Sequence, residues 1–148
     1  MKLISHRGNL NGPNPEQENH PDYIWDAIRA GFDVEIDVWW VDGKFKLGHD
    51  EPQYDFPFDL IKNHSSKMWI HCKNMDALSK LNELDPNGTY FNYFSHDQDL
   101  GVLTSKGYIW STNLYDRGIL VMPEVFNKEP NANTFGICSD YIVKYSTK

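Results

Sequence analysis

Short apolar runs alternate with polar stretches along the whole chain, and none of the apolar runs is long. "KLIS" predicts a first strand, ending at "HRG". The following "NLNGPNPEQENH" is rich in Asn, Pro and Gly, so it is an excursion rather than a tight turn. "PDYIWDAIRAG" predicts a helix: Pro21 suits its first turn, Ile24, Ala27 and Ile28 share one face, and Gly31 stops it. "DVEIDVWW", residues 33–40, predicts the second strand, and Asp42-Gly43 a turn into a short return strand. "FPFDLIKNHS" predicts a short helix and "KMWIHCK" a third barrel-type strand. In "NMDALSKLNELD" Asn74 can cap a helix, with Leu78, Leu81 and Leu84 on helical spacing. "TYFNYF" predicts a strand and "DLGVLTSKG" a short helix; "YIWST", "ILVMPE" and "GICSDYIVKY" predict the remaining strands.

Strands alternating with helices predict parallel pairing with covered faces. The expected fold is α/β: a truncated TIM-type barrel of mainly parallel strands with several outer helices missing. The 148 residues fall well short of the roughly 250 of a full eight-fold barrel. "NLYDRG" is short for a parallel crossover between "IWST" and "ILVM", which usually needs about a dozen residues. That puts one of the two runs in question as a regular barrel strand. No linker, repeat or low-complexity segment divides the chain, so one domain over residues 1–148 is expected.

The net charge of -7 argues against nucleic acid and anionic membrane as partners. No membrane span is readable, and "MKLISHRG" lacks a signal peptide's apolar core, so a cytoplasmic location is expected. Cys72 and Cys138 read as reduced core residues, with a disulfide the lesser alternative. Apolar surface left bare by missing helices predicts self-association as a homodimer.

One strand changes the picture. Glu35 and Asp37 are two apart in "DVEIDVWW" and share a face, while Val34, Ile36 and Val38 point the other way. Two carboxylates together near a core are unfavourable without a compensating positive charge. As hard oxygen donors they suit Mg²⁺ or Ca²⁺. Other chemical groups also fall at the C-terminal ends of predicted strands: His6 and Arg7, His49 and Asp50, His71 and Lys73. In α/β sheets that edge binds ligands. His6 and His49 form an acid–base pair near neutral pH, and Arg7 and Lys73 suit a phosphate. The set suits cleavage of a small phosphodiester. Trp110 is a candidate lining residue, although most strand tryptophans are core. Asp97 reads as a helix cap, and Glu124 as a solvated residue or a substitute acidic ligand. His20 and His64 need no role.

"ISHRG", "PEQEN", "EID" and "GHD", in that order, resemble the signature of the glycerophosphodiester phosphodiesterases and of their relatives, the toxin phospholipases D. The resemblance is strongest over residues 3–50. "WIHCKN" is more weakly similar to the family's third-strand "E-x-K", "IWSTN" to its late "WTVN", and "GICSD" to its final "IITD". It implies a barrel that hydrolyses glycerophosphodiesters to an alcohol and glycerol 3-phosphate with a divalent metal. His6 and His49 match the catalytic pair, Glu35 and Asp37 the metal ligands, and Arg7 the site arginine. Glu18 and Asn19 match the "EN" that helps build the site, and Lys73 the phosphate-side lysine. Where the family has an acidic third ligand, this chain has His71. Imidazole suits softer ions, so Mn²⁺, or a phosphate contact by His71, stands beside Mg²⁺ and Ca²⁺. Two other readings remain: a lyase that stops at a cyclic phosphate, and a shortened module that binds phosphate and metal without turnover.

Overall fold

The computed structural model describes residues 1–146. Its strands are β1 (Lys2–His6), β2 (Asp33–Val41), β3 (Lys44–Leu47), β4 (Tyr54–Asp55), β5 (Met68–Cys72), β6 (Asn92–Phe94), β7 (Gly101–Leu103), β8 (Ile109–Ser111), β9 (Ile119–Val121) and β10 (Gly136–Ser139). Its helices are α1 (Pro21–Arg29), α2 (Phe58–Asn63), α3 (Met75–Leu84), α4 (Pro123–Phe126) and α5 (Ile142–Ser146).

All ten strands belong to one sheet. β1 pairs in parallel with β10 and β2, and β5 continues the sheet beyond β2 to β6. On the other side β9 and β8 follow β10 in parallel. β2 also carries the antiparallel extension β3–β4, and β7 closes back antiparallel on β8. The expected mainly parallel TIM-type barrel is therefore corrected. The chain forms a curled half-barrel of mixed strands with few helices. The connections are the physical reason. "DLGVLTSKG", expected as a helix, instead supplies β7 and its turn into β8. Residues 112–118 alone join β8 to β9, with no room for a covering helix. Those two strands nevertheless pair in parallel, Trp110 opposite Ile119, so the expectation that the link was too short is also corrected. "GICSDYIVKY" is strand only in its first half and becomes α5 in its second.

The pleat divides the core. On the convex face Val34, Ile36 and Val38 pack with Ile70 and Cys72 beneath Ile24 and Ala27 of α1 and Ala77 and Leu81 of α3. Both helices start as their sequence dictates. Pro21 follows the capping His20 of α1, and Asn74 accepts from Ala77 N at 3.0 Å to cap α3. Leu84 ends α3 exposed, so the apolar stripe there is Ala77, Leu81 and the partly buried Leu78 rather than the expected three leucines. α5 covers β1 and β10 through Ile142 and Tyr145 on Ile137.

On the concave face Ile4, Trp69, Phe94, Trp110, Ile119 and Cys138 fill the curl. Below them Asp33 is neutralised by Lys2 Nζ at 2.9 Å, Lys67 Nζ at 3.2 Å and Trp69 Nε1 at 3.2 Å. Above them the C-terminal strand ends form a polar mouth. Cys72 and Cys138 are free and buried; burial pushes the Cys72 thiol up to about 12. Among the described residues no helix is long and apolar enough to cross a membrane.

Candidate functional site

His6, Glu35, His71 and Lys73 all face the mouth, because their strands stand side by side with side chains alternating in register. His6 is opposite Glu35, and Asp37 is opposite His71. Together with Arg7, His49, His96, Asp97 and Trp110 they line a cavity of about 480 Å³. Its other wall is apolar: Val121, Met122, Val125 and Phe126, the last two on the one-turn helix α4.

The loops that deliver the remaining groups are conformationally specified. Arg7 and Asn19 both have positive φ, 56° and 62°, and Asn19 N donates to the Arg7 carbonyl at 3.1 Å. Non-glycine residues hold that conformation only where surrounding contacts enforce it. Gly8 at φ 94° lets the chain pass Tyr23: an added Cβ would lie 2.7 Å from its Cδ1. At Gly48 a Cβ would lie 1.9 Å from the Glu51 carbonyl oxygen, so only glycine fits before His49. Trp39 Nε1 donates to the Gly48 carbonyl at 2.6 Å and anchors that loop.

Asp37 is the centre of the charge network. Its Oδ2 accepts from Asn19 Nδ2 at 2.8 Å and lies 3.0 Å from Arg7 Nε and 3.4 Å from His49 Nδ1. Burial opposes its charge, but the imidazoles of His49 and His71 and the Arg7 guanidinium outweigh it. They hold the carboxyl well below the usual range. Glu35 behaves in the opposite way. Burial and the neighbouring Asp37 charge raise its pKa. The Arg7 guanidinium also donates to Glu18 Oε2 at 3.1 Å and to His49 Nδ1 at 2.6 Å.

Glu18 and Asn19 thus support the site by gripping Arg7 and Asp37. Lys73 lines the cavity and makes no ion pair among the described residues. Trp110 is 4% exposed and stacks on Trp69 at 5.7 Å, so it serves the core and the cavity floor together. Glu124 is not a substitute ligand: its carboxylate accepts from Ser139 Oγ and Asp140 N, each at 2.9 Å. Asp97 caps no helix, because β7 follows it. His20 caps α1 and His64 packs on Trp25.

Asn9 escaped the sequence, and His96 and Asp140 stood at predicted strand ends with no role assigned to them. Asp140 accepts from His6 Nδ1 at 2.7 Å, and Asn9 Nδ2 bridges Asp140 and Glu18 at 2.8 and 2.9 Å. His96 stacks on His71 with centroids 4.5 Å apart, and burial beside His71 lowers its pKa. A signal for Asp140 was present: it ends the last strand at the same edge, one step beyond a β10 that pairs with β1.

The residues present fit a divalent cation. Ligand atoms of Glu35, Asp37 and His71 lie within 4.8 Å of one another, and all three residues are buried. Glu35 Oε2 and Asp37 Oδ1 are buried with no aligned hydrogen-bond donor. Compared with protein-family models, curated proteins and solved structures, the chain matches none. The likeness to the glycerophosphodiester phosphodiesterases therefore rests on the motif residues.

Proposed function

We propose that this chain is a divalent-cation-dependent phosphodiesterase that splits glycerophosphodiesters, or a similarly small phosphodiester, into an alcohol and glycerol 3-phosphate. One observation carries the reading: two imidazoles, two cations and the Glu35 carboxylate, with Asp37 paired to Arg7 just behind them, meet at one cavity from four separate segments. A surface without chemistry has no need of such a meeting.

The partners of the two imidazoles support a division of labour. Asp140 only accepts, so the proton of neutral His6 is on Nδ1 and Nε2 is free to take a proton from the attacking substrate hydroxyl, and in a second step from the water that opens the resulting cyclic phosphate to glycerol 3-phosphate. His49 sits between the Arg7 guanidinium, 2.6 Å from Nδ1 and 3.3 Å from Nε2, and Asp37 Oδ2, 3.4 Å from Nδ1. As the P–O bond to the departing alcohol breaks, His49 in its imidazolium form, with Nδ1 3.4 Å from the Asp37 carboxylate, gives the Nε2 proton to that alcohol's oxygen and is left neutral. Lys73, not engaged by a carboxylate, offers its ammonium to the phosphoryl oxygens. Arg7 is held by Glu18 and Asp37 and positions the His49 ring. A cation held by Glu35, Asp37 and His71 would add Lewis-acid stabilisation of charge on the phosphoryl group. The apolar wall of Val121, Val125 and Phe126 suits the carbon skeleton of a leaving group.

Phosphorus NMR of a glycerophosphodiester panel with Mg²⁺, Ca²⁺ or Mn²⁺ tests this. Glycerol 3-phosphate is expected, with turnover lost in His6→Ala and His49→Ala. A cyclic phosphate as final product would make the enzyme a lyase. Turnover unchanged in both variants would sink the reading, and binding without product under every ion would leave a binding module.

A further inference from the structure

We infer that the Glu35–Asp37–His71 centre is built for a divalent first-row transition ion, held by two carboxylates and one imidazole nitrogen, in preference to Mg²⁺ or Ca²⁺. This rests on the cation-dependent reading above and narrows it to a class of ion.

The position is set by geometry and burial. Donor atoms within 4.8 Å of one another can share one ion at about 2.0–2.6 Å from each. Glu35 is 3% exposed and Asp37 0%, yet Glu35 Oε2 and Asp37 Oδ1 lack a donor. Buried carboxylate oxygens in that condition call for a positive partner.

The orientation of His71 supplies the selectivity. Its Nε2 lies 3.3 Å from the His96 carbonyl oxygen, which can only accept. No ring N–H is aligned on Asp37 Oδ1, so we place the ring proton on Nε2, toward the His96 carbonyl, which leaves the Nδ1 lone pair facing the carboxylates. That lone pair looks at Asp37 Oδ1, 3.1 Å away, and at Glu35 Oε1, 3.8 Å away. Acceptor atoms of all three residues thus converge with no donor aligned on Glu35 Oε2 or Asp37 Oδ1, an arrangement that a cation in the middle relieves. Stacking on His96 at 4.5 Å and on Phe94 at 5.3 Å, both nearly coplanar, holds the ring in this attitude.

Ca²⁺ takes six to eight oxygen ligands, and Mg²⁺ demands near-ideal oxygen octahedra and sheds water reluctantly. Imidazole nitrogen suits Zn²⁺, Fe²⁺, Ni²⁺ and Cu²⁺ better, and Mn²⁺, the weakest binder of the first-row series, is the most demanding probe of the preference. With His71 in place of a carboxylate, the centre also carries two negative charges rather than three. That loss weighs most on ions bound by charge alone.

The test is calorimetric titration of the chelator-treated full chain with Mn²⁺, Mg²⁺ and Ca²⁺, with pulsed electron paramagnetic resonance of the Mn²⁺ complex. Wild type should prefer Mn²⁺ by about tenfold or more, and its Mn²⁺ spectrum should show histidine nitrogen coupling. In His71→Asp the coupling should vanish and the preference should collapse. An equal preference in both proteins, or no nitrogen coupling in wild type, overturns the inference; the second readout stands even if the variant does not fold. Neither measurement needs turnover. Mn²⁺ preference with no phosphodiester product would end the enzyme reading and leave this one, and turnover without ion preference would do the reverse.

Discussion

His6 and Asp140, 134 residues apart in the chain, meet at 2.7 Å between Nδ1 and Oδ1. Asp140 is itself braced by Asn9 Nδ2 and, through its backbone N–H, by Glu124. Burial works against a charged His6, but the Asp140 bond and the Glu35 charge outweigh it and raise its pKa above the ordinary 6.5. If His6 is the base, the acid limb of kcat/KM lies above pH 6.5. Asp140→Asn should lower kcat/KM by about 10²–10⁴-fold and move that limb to lower pH. An unmoved limb would separate Asp140 from His6 in function.

The same shift has a sign in stability. A raised folded-state pKa means His6 stabilises fully below its unfolded value and loses that contribution as pH rises through its folded one. His6→Asn should therefore destabilise more at pH 6 than at pH 9, read from urea midpoints. Asp37 works the other way: its depressed pKa stabilises above 3.8 and is lost as pH falls through the folded value.

Glu35 is a buried carboxylate whose charge is disfavoured without a cation. Glu35→Gln should stabilise the cation-free protein at neutral pH by about 1–3 kcal/mol. Differential scanning calorimetry should show this as a gain of about 2–4 °C per kcal/mol. The same variant should lose most of the thermal shift that divalent ions induce. A lower melting temperature would contradict this.

Asp37→Ala removes the acceptor for Asn19 and the counter-charge for Arg7, whose side chain is 17% exposed. Leaving that guanidinium half of a broken buried pair should cost about 3–5 kcal/mol in chemical denaturation.

Among the described residues β7 pairs only with β8, and Leu100 and Leu103 beside its other edge are 73% and 68% exposed. An open apolar edge invites a second copy. Light scattering should give a dimer of the 17.2 kDa chain, reduced to monomer by Leu103→Glu. A wild-type monomer would refute it.

The local elements were largely legible. Pro21, Asn74 and the alternation in "DVEIDVWW" are short-range instructions, and they produced α1, α3 and β2. The segment after Phe94 was not, because "DLGVLTSKG" has helix-compatible spacing while Gly101 and Leu103 pair with Ser111 and Ile109. Pairing between strands overrides local preference, and no local pattern announces it.

The candidate site divides in the same way. Glu35 and Asp37 share a face by the pleat alone, so their adjacency was written in the sequence. So was the presence of His6, Arg7, His49, His71 and Lys73 at strand ends. Tertiary structure alone decided which group serves which. Parallel pairing of β1 with β10 brought Asp140 to His6, and curling of the sheet brought His71 onto His96 and Trp110 onto Trp69. Burial pushed both carboxyl pKa values up, and only at Asp37 did His49, His71 and Arg7 outweigh it and bring the value down. Those outcomes depend on distances across the fold and on exclusion of water, and spacing along the chain specifies neither.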